Sequence, residues 1–249
     1  MFQYFKKYPD LLVSFSRSSD GSMKLTNNPN LAEKISQNRN AYFLKNNINP
    51  EKVVSAGIVH GNKIAVAHKK DGRKIISGAD GLLTQEKNLF LSITSADCLP
   101  IFLFDPKKKV VGIVHAGWRS LFENIISSAT KKIRDNFQSN PQDILVGIGP
   151  AICQNHYEVG PEVAEKFKKY PEAIRKENEK IYLDLKKIAE LQFAEAGIQK
   201  KNQPKTDRPR ADIEISPECT FELPEKYFSA RRDSPAEIEA MIAIIGLKV

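Results

Sequence analysis

Cysteine, methionine, tryptophan and histidine are scarce in this chain, at three, three, one and four of its 249 residues. The cysteines, Cys98, Cys153 and Cys219, are too few and too far apart to staple a small secreted fold, so a reducing compartment is expected. Long apolar runs are missing too. Nothing approaches the ~20 residues that span a bilayer, so no membrane association is expected. The opening "MFQYFKKYPDLLVSFSR" has only the short run "LLV", where a secretory leader carries about 7–15 apolar residues. A cytoplasmic protein is the expectation. Repeats at solenoid periods and long linkers are absent, which argues for one domain over residues 1–249. Also lacking are stretches that interleave basic with aromatic residues, as single-strand binders do. The net charge of +8 therefore reads as a solvated lysine surface or a preference for anionic small molecules, with no nucleic acid partner.

What is present is an ordinary globular composition, 41% hydrophobic and 27% charged, enough to fill a large core. "NLFLSITSAD" alternates at Leu89, Leu91 and Ile93 and predicts a strand. "IFLFD", "KVVGIVHAG" and "DILVGIGP" predict buried strands, and "DPKK" between the first two predicts a tight hairpin turn. "RSLFENIISSATKKIRDNF" and "DLKKIAELQFAEAG" repeat apolar residues at helical spacing, the second with Gly197 placed to end it. "MIAIIGLKV" predicts a last core strand. "KKYPEAIRKENEK" reads as helix face and loop, and Gln199 to Arg210 as a surface loop. The fold class is mixed α+β or α/β, helices laid on sheets.

The scarce residue types converge on "SITSADCLPIFLFDPKKKVVGIVHAGWRSL", residues 92–121. Cys98 follows one predicted strand and His115 ends another, and the hairpin permits them to meet. His60, in "SAGIVHGNKI", likewise ends a β-like run. Two imidazoles and a thiolate suit Zn²⁺, and three protein ligands leave the fourth position open for water or substrate. Gly61 and Gly117 let backbone approach closely. The same Cys98 and His115 also suit a nucleophile–base pair, with His60 left as the ligand that a dyad does not need. His68 lies in a charged turn and reads as solvated. Cys219 reads as a core thiol, and Cys153 and His156 carry no evident role.

Taken in order, "SFSRSSDGS", "QNRN", "VHG", "ADGLLT", "TSADCLPI", "HAGWRS", "GPAICQNHYEVGPEV" and "CTFELPEKYFSARRD" resemble the laccase-domain, YfiH-like family through most of the chain. The resemblance implies a mononuclear zinc site from His60, Cys98 and His115. It implies a purine nucleoside phosphorylase acting on adenosine, inosine and methylthioadenosine, with adenosine deaminase activity beside it. It implies a single domain built on a central β-sandwich flanked by helices, akin to the cytotoxic-necrotising-factor-like proteins. Three positions depart from the family's pattern: Ile58 stands where Gln is usual, His156 where Cys is usual, and Ala230 where Tyr is usual. Some members edit cell-wall precursors, which leaves a peptidoglycan-directed hydrolase as an alternative.

The copper polyphenol chemistry in the family's name is discounted, because several coppers need more imidazoles than four. Phosphorolysis needs an anion site, and the arginine fork suits phosphate. Arg17, Arg119, Arg231 and Arg232 all lie in motif segments. Arg232 is placed with the catalytic residues, and Arg17, Arg119 and Arg231 with substrate binding; Arg119 could instead simply open the helix after Trp118. Asp80 is a candidate for proton transfer or for supporting a ligand. Asp97, adjacent to Cys98, is expected on a strand with its side chain pointing the opposite way, as a buried structural acid. The partners expected are a purine nucleoside and phosphate, and the chain is expected to act as a monomer.

Overall fold

The computed structural model describes residues 2–26, 28–198, 212–234 and 237–249. In chain order the strands are β1 (Leu11–Phe15), β2 (Val53–Gly57), β3 (Ile64–Val66), β4 (Ile75–Ser77), β5 (Gly81–Thr84), β6 (Phe90–Ser95), β7 (Leu99–Asp105), β8 (Val110–Ala116), β9 (Leu145–Ile148), β10 (Glu158–Val159), β11 (Ile174–Glu177), β12 (Lys180–Leu183), β13 (Asp212–Ile215) and β14 (Met241–Leu247). The helices are α1 (Pro29–Lys45), α2 (Trp118–Phe122), α3 (Ile125–Phe137), α4 (Pro161–Lys166), α5 (Leu185–Glu195) and α6 (Ala230–Asp233).

Two mixed sheets stack face to face. One runs β1-β14-β6-β2-β4 and the other β13-β9-β7-β8-β5-β3. The two-residue period of β7 explains the layering. Phe102 and Phe104 point into the space between the sheets, among Leu91, Ile93, Ala243 and Ile245. Ile101 and Leu103 point the other way, onto Ile125, Ile126 and Ala129 of α3 and Ile188 and Ala189 of α5. On the far side, Tyr42 and Phe43 of α1 cover Val53, Phe90, Ile242 and Ile244. The result is helix, sheet, sheet, helix. Each fully buried Ile, Leu or Phe in these layers contributes about 1.5–3 kcal/mol relative to exposure.

The predicted hairpin pairs β7 with β8 antiparallel, and Asp105 Oδ1 accepts hydrogen bonds from the backbone N–H groups of Lys107 and Lys108 in the turn. β14 is buried along its whole length between β1 and β6. α5 starts at Asp184, whose carboxylate accepts from the Lys187 N–H, and Gly197 follows its end at φ 84°.

Two readings change and one helix is new. The helix expected from Arg119 to Phe137 is two helices, parted where Asn124 takes a left-handed φ of 58°, a conformation Asn tolerates. The lysine-rich stretch around Lys176 is the antiparallel hairpin β11–β12, turning at Asn178 and Glu179, both with positive φ. α1 has no expectation behind it. Its buried face includes Arg39, which donates to Met23 O and Ser55 Oγ, so an apolar stripe is broken by a charge. Gln199 to Arg210 lies outside the described residues. Among the described residues, no helix is long and apolar enough to cross a membrane.

Candidate active site

The hairpin register builds the first two walls of the site. β6 stops at Ser95, and Ala96–Cys98 form a bend in which Asp97 takes φ 83°. Leu99 then pairs with Ala116 and Pro100 with His115, which sets Cys98 opposite Gly117. A Cβ at position 117 would lie 2.8 Å from Cys98 Sγ. A methyl there would force the thiol to shift, so glycine gives the thiol its room. Gly61 is different: a Cβ there would meet only ordinary contacts.

Asp80, fully buried ahead of β5, brings in the third wall. Its Oδ1 accepts from the His60 N–H at 2.7 Å and its Oδ2 from the Gly61 N–H at 2.9 Å, folding the loop after β2 around the carboxylate. This holds His60 at a left-handed φ of 61°. The Asp80 carbonyl accepts from the His115 N–H at 2.7 Å, and Asp80 Oδ1 lies 3.5 Å from His115 Nδ1. Within that buried space His115 Nδ1 has no closer polar partner. Its other ring nitrogen is thereby left for the centre of the site. The His60 and His115 rings meet edge to face, with centroids 5.0 Å apart. The donor atoms of His60, Cys98 and His115 all lie within 4.8 Å of one another.

The charges reinforce one another. Burial alone would raise the Cys98 thiol, but the positive charge and hydrogen bonds of His115, helped by His60, pull it below its ordinary value. Burial would lower His115, but the Cys98 thiolate and Asp80 raise it instead. Burial would raise Asp80 as well. Hydrogen bonds from His115 and from the Gly61 and His60 N–H groups overcome that and hold its carboxyl below the usual range.

His60, Cys98 and His115 line a cleft of about 540 Å³, which Lys24, Trp118, Arg119, Tyr157 and Arg231 also line, with Asp80 buried behind them. Arg231 lies over the Tyr157 ring at 5.1 Å and donates to Glu158 O. Arg119 lies 4.4 Å from the Trp118 ring, and α2 opens at Trp118 itself. Ile58 and Ala230, two of the departures from the family pattern, are also in the lining. Lys24, Trp118 and Tyr157 received no role from sequence. Tyr157 and Trp118 lie inside quoted motifs and were open to notice, whereas nothing local marks Lys24.

The other two arginines are elsewhere. Arg17 is exposed and borders a separate cavity with Glu218 and Tyr227. Arg232 donates to the carbonyls of Thr220, Phe221 and Tyr227 and pairs with Asp233, so its fork is occupied by the chain itself. Arg232 was expected among the catalytic residues, and the structure does not bring it to the cleft. Asp97 is the buried acid expected of it, but on a bend and not on a strand. It accepts from Thr220 Oγ1 at 2.6 Å and the Arg231 N–H at 2.7 Å. His68 is exposed, as expected, and pairs with Glu86. Cys219 is buried but not alone: Cys153, His156 and Glu222 crowd around it.

A family model described as multi-copper polyphenol oxidoreductase laccase matches residues 15–248. The chain is similar to the purine nucleoside phosphorylase RC0672 of Rickettsia conorii, 32% identical over 228 residues, covering 88% of this chain and 85% of that one. It is 30% identical to the purine nucleoside phosphorylase YlmD of Bacillus subtilis over 207 residues, 78% of this chain and 70% of that one. Among solved structures, YlmD from Geobacillus stearothermophilus superposes with a TM-score of 0.87 at 27% identity, covering 97% of this chain and 93% of that one. The Bacillus licheniformis protein YfiH does so at 0.85 and 27%, covering 98% and 95%.

Proposed function

The chain belongs to the family described as multi-copper polyphenol oxidoreductase laccase, and from that membership and the cleft we propose that it is a nucleoside phosphorylase of a single domain, taking purine nucleosides and inorganic phosphate. The observation that carries this reading is the placing of two imidazoles and a thiol together at a cleft whose lining includes Lys24, Arg119 and Arg231. The relatives named above as purine nucleoside phosphorylases support the substrate class.

The donor set fits Zn²⁺. Nitrogen and sulfur donors are what zinc takes, Gly117 leaves the thiol room, and Asp80 stands behind His115 as the carboxylate that fixes a ligating imidazole. When bound, Zn²⁺ would supply a Lewis acid and an activated water, and three protein ligands leave it an open position. Copper polyphenol chemistry gains no support, because a chain with four histidines cannot furnish several imidazole-rich copper centres.

The remaining roles belong to the chain. Arg119, Arg231 and Lys24 gather phosphate and turn one oxygen toward C1′ of the nucleoside. The bond from that oxygen to C1′ forms as the bond to the base nitrogen breaks, and the base leaves with that electron pair and takes up a proton. Trp118 and Tyr157 give the purine apolar surfaces. Asp80 keeps His115 in one orientation and tautomer. Adenosine deamination at the same site uses water in place of phosphate, and methylthioadenosine is cleaved as adenosine is.

One observation favours a second reading. Asp80, His115 and Cys98 stand in the order of an orienting acid, a base and a nucleophile, and the thiol is already lowered. Metal dependence separates the two. The test measures base release from inosine and adenosine with and without phosphate, in metal-loaded and chelated protein. We expect release that rises with phosphate and saturates, yields sugar 1-phosphate and stops on chelation. Free ribose at equal rates without phosphate would mark a hydrolase, and full turnover by the chelated protein would mark the thiol mechanism. No turnover of either nucleoside would sink the phosphorylase and return the cell-wall alternative.

A further inference from the structure

At the residue before Tyr157 and around it, four side chains come together that the reaction does not use. Cys153 and His156 bracket the short turn after β9, and Cys219 and Glu222 bracket a turn after β13. Cys153 Sγ lies 3.3 Å from His156 Nδ1 and 3.5 Å from Glu222 Oε1. His156 Nδ1 lies 3.4 Å from that same oxygen and 4.0 Å from Cys219 Sγ. All four donors are within 4.8 Å of one another. A tetrahedral ion with zinc's bond lengths holds its nitrogen, oxygen and sulfur donors about 3.3–3.8 Å apart.

We propose that Cys153, His156, Cys219 and Glu222 form a second metal site, closed and structural, for Zn²⁺ or a divalent ion of similar softness. Each pair of ligands is spaced with two residues between, Cys153 to His156 and Cys219 to Glu222. This is the short spacing by which one turn presents two donors to one ion. The parts of the site are fixed before any ion arrives. The His156 ring is stacked on Phe221, centroids 4.3 Å apart and planes 15° from parallel. The Cys153 N–H points at Cys219 Sγ at 3.2 Å, a donor suited to a thiolate inside the fold. Cys219 is buried and Glu222 is exposed, so the ion would sit at the protein edge under a carboxylate.

The charges close as well. Two thiolates and a carboxylate against a dication leave one negative charge. Lys186, which donates to Ser216 O and Glu218 O, stands near enough to feel the charge of both cysteines. Four protein ligands leave no open position, so this ion binds no substrate.

Its role is to brace the cleft. Thr220, next to Cys219, donates its hydroxyl to Asp97 and its N–H to Ala151 O. Asp97 also accepts from the Arg231 N–H, and Tyr157, next to His156, lies beneath the Arg231 guanidinium. One ion would therefore clamp the two turns that place Tyr157 and Arg231. The inference stands whatever the cleft catalyses.

The test is reconstitution of metal-free protein with excess Zn²⁺, removal of unbound ion, and measurement of zinc per chain. Wild type is expected to hold two equivalents, and Cys98→Ser, Cys153→Ser and His156→Asn one each. His156→Asn keeps a half-exposed polar side chain and so leaves folding intact if the cysteine variant does not. In Cys98→Ser reconstituted with Co²⁺, the remaining near-ultraviolet sulfur-to-cobalt band should arise from two thiolates and vanish when Cys153 and Cys219 are also changed. Zinc should slow alkylation of Cys153 at least tenfold in that same Cys98→Ser background. No zinc in Cys98→Ser, unchanged zinc in both His156→Asn and Cys153→Ser, or no protection of Cys153 would each overturn the second site. Loss of the first site alone leaves one equivalent in wild type and the same one in Cys98→Ser, which keeps the two claims apart.

Discussion

Asp80 is the residue on which His60 and His115 both depend, and Asp80→Asn separates its two effects. The carboxylate is expected to raise metal affinity by orienting His115, so the variant should bind zinc roughly 10–100-fold more weakly. It also stabilises the metal-free fold. Its folded carboxyl lies below the ordinary value near ~3.9, so its stabilisation is complete above that pH and is lost as pH falls through the lower, folded value. Denaturant midpoints of the metal-free proteins should therefore converge as pH drops below about 4. A gap of constant size from pH 7 to pH 3 would rule this out. The neighbouring arginines make a sharper contrast. Arg231→Ala should raise the KM for phosphate roughly 10- to 100-fold, the scale of a lost charge-assisted contact. Arg232→Ala removes three hydrogen bonds to carbonyls, so it should lower the unfolding midpoint and leave the phosphate KM near that of wild type. Equal kinetic effects from both would contradict these placements.

At the scale of elements, the β7–β8 hairpin sets Cys98 against Gly117, and Gly117→Ala probes that fit. The backbone at 117, φ −90° and ψ 179°, accepts alanine without strain, and the position lies outside the paired strands. The added methyl must displace the thiol. Zinc affinity is expected to fall at least about tenfold, about 1.4 kcal/mol, while the metal-free unfolding midpoint hardly moves. Retained affinity would mean the thiol is not a ligand. This hairpin was legible in sequence because apolar runs and "DPKK" are local signals. So was the convergence of Cys98 with His115, which follows from register. The contribution of Asp80 to the loop at His60 was not legible in detail, since it rests on backbone N–H groups that carry no side-chain signature. α1 was hidden for a related reason: Arg39 occupies its buried face, paired with partners far along the chain. The arginines of the "SARRD" segment look alike in sequence, and only the fold turns one guanidinium to the cleft and the other into its own turn. Cys153 and Cys219 lie 66 residues apart, too far for spacing to suggest that they meet.

The whole molecule depends on the layer between the sheets, where Phe102 is 1% exposed. Phe102→Ala should cost about 3–5 kcal/mol, read as a lower denaturant midpoint, with zinc per chain unchanged because neither ligand set touches the ring. A loss of metal in a variant that still unfolds cooperatively would show that the sandwich and the site are less separable than their contacts suggest. The order of the strands has a consequence during synthesis. β1 and β6 are not neighbours; β14 is inserted between them and bonds to both. A nascent chain made as far as Asp233 already holds His60, Cys98 and His115, together with Cys153, His156, Cys219 and Glu222. Yet β1 and β6 each still present an open edge with an apolar face. Ribosome-bound intermediates of that length have every donor for an ion and every strand of the sheet β13-β9-β7-β8-β5-β3 that positions them, while the facing sheet still lacks its centre. Metal capture can thus come before closure of the sandwich, and a chaperone that shields the edge of β6 would guard the one sheet that closes last.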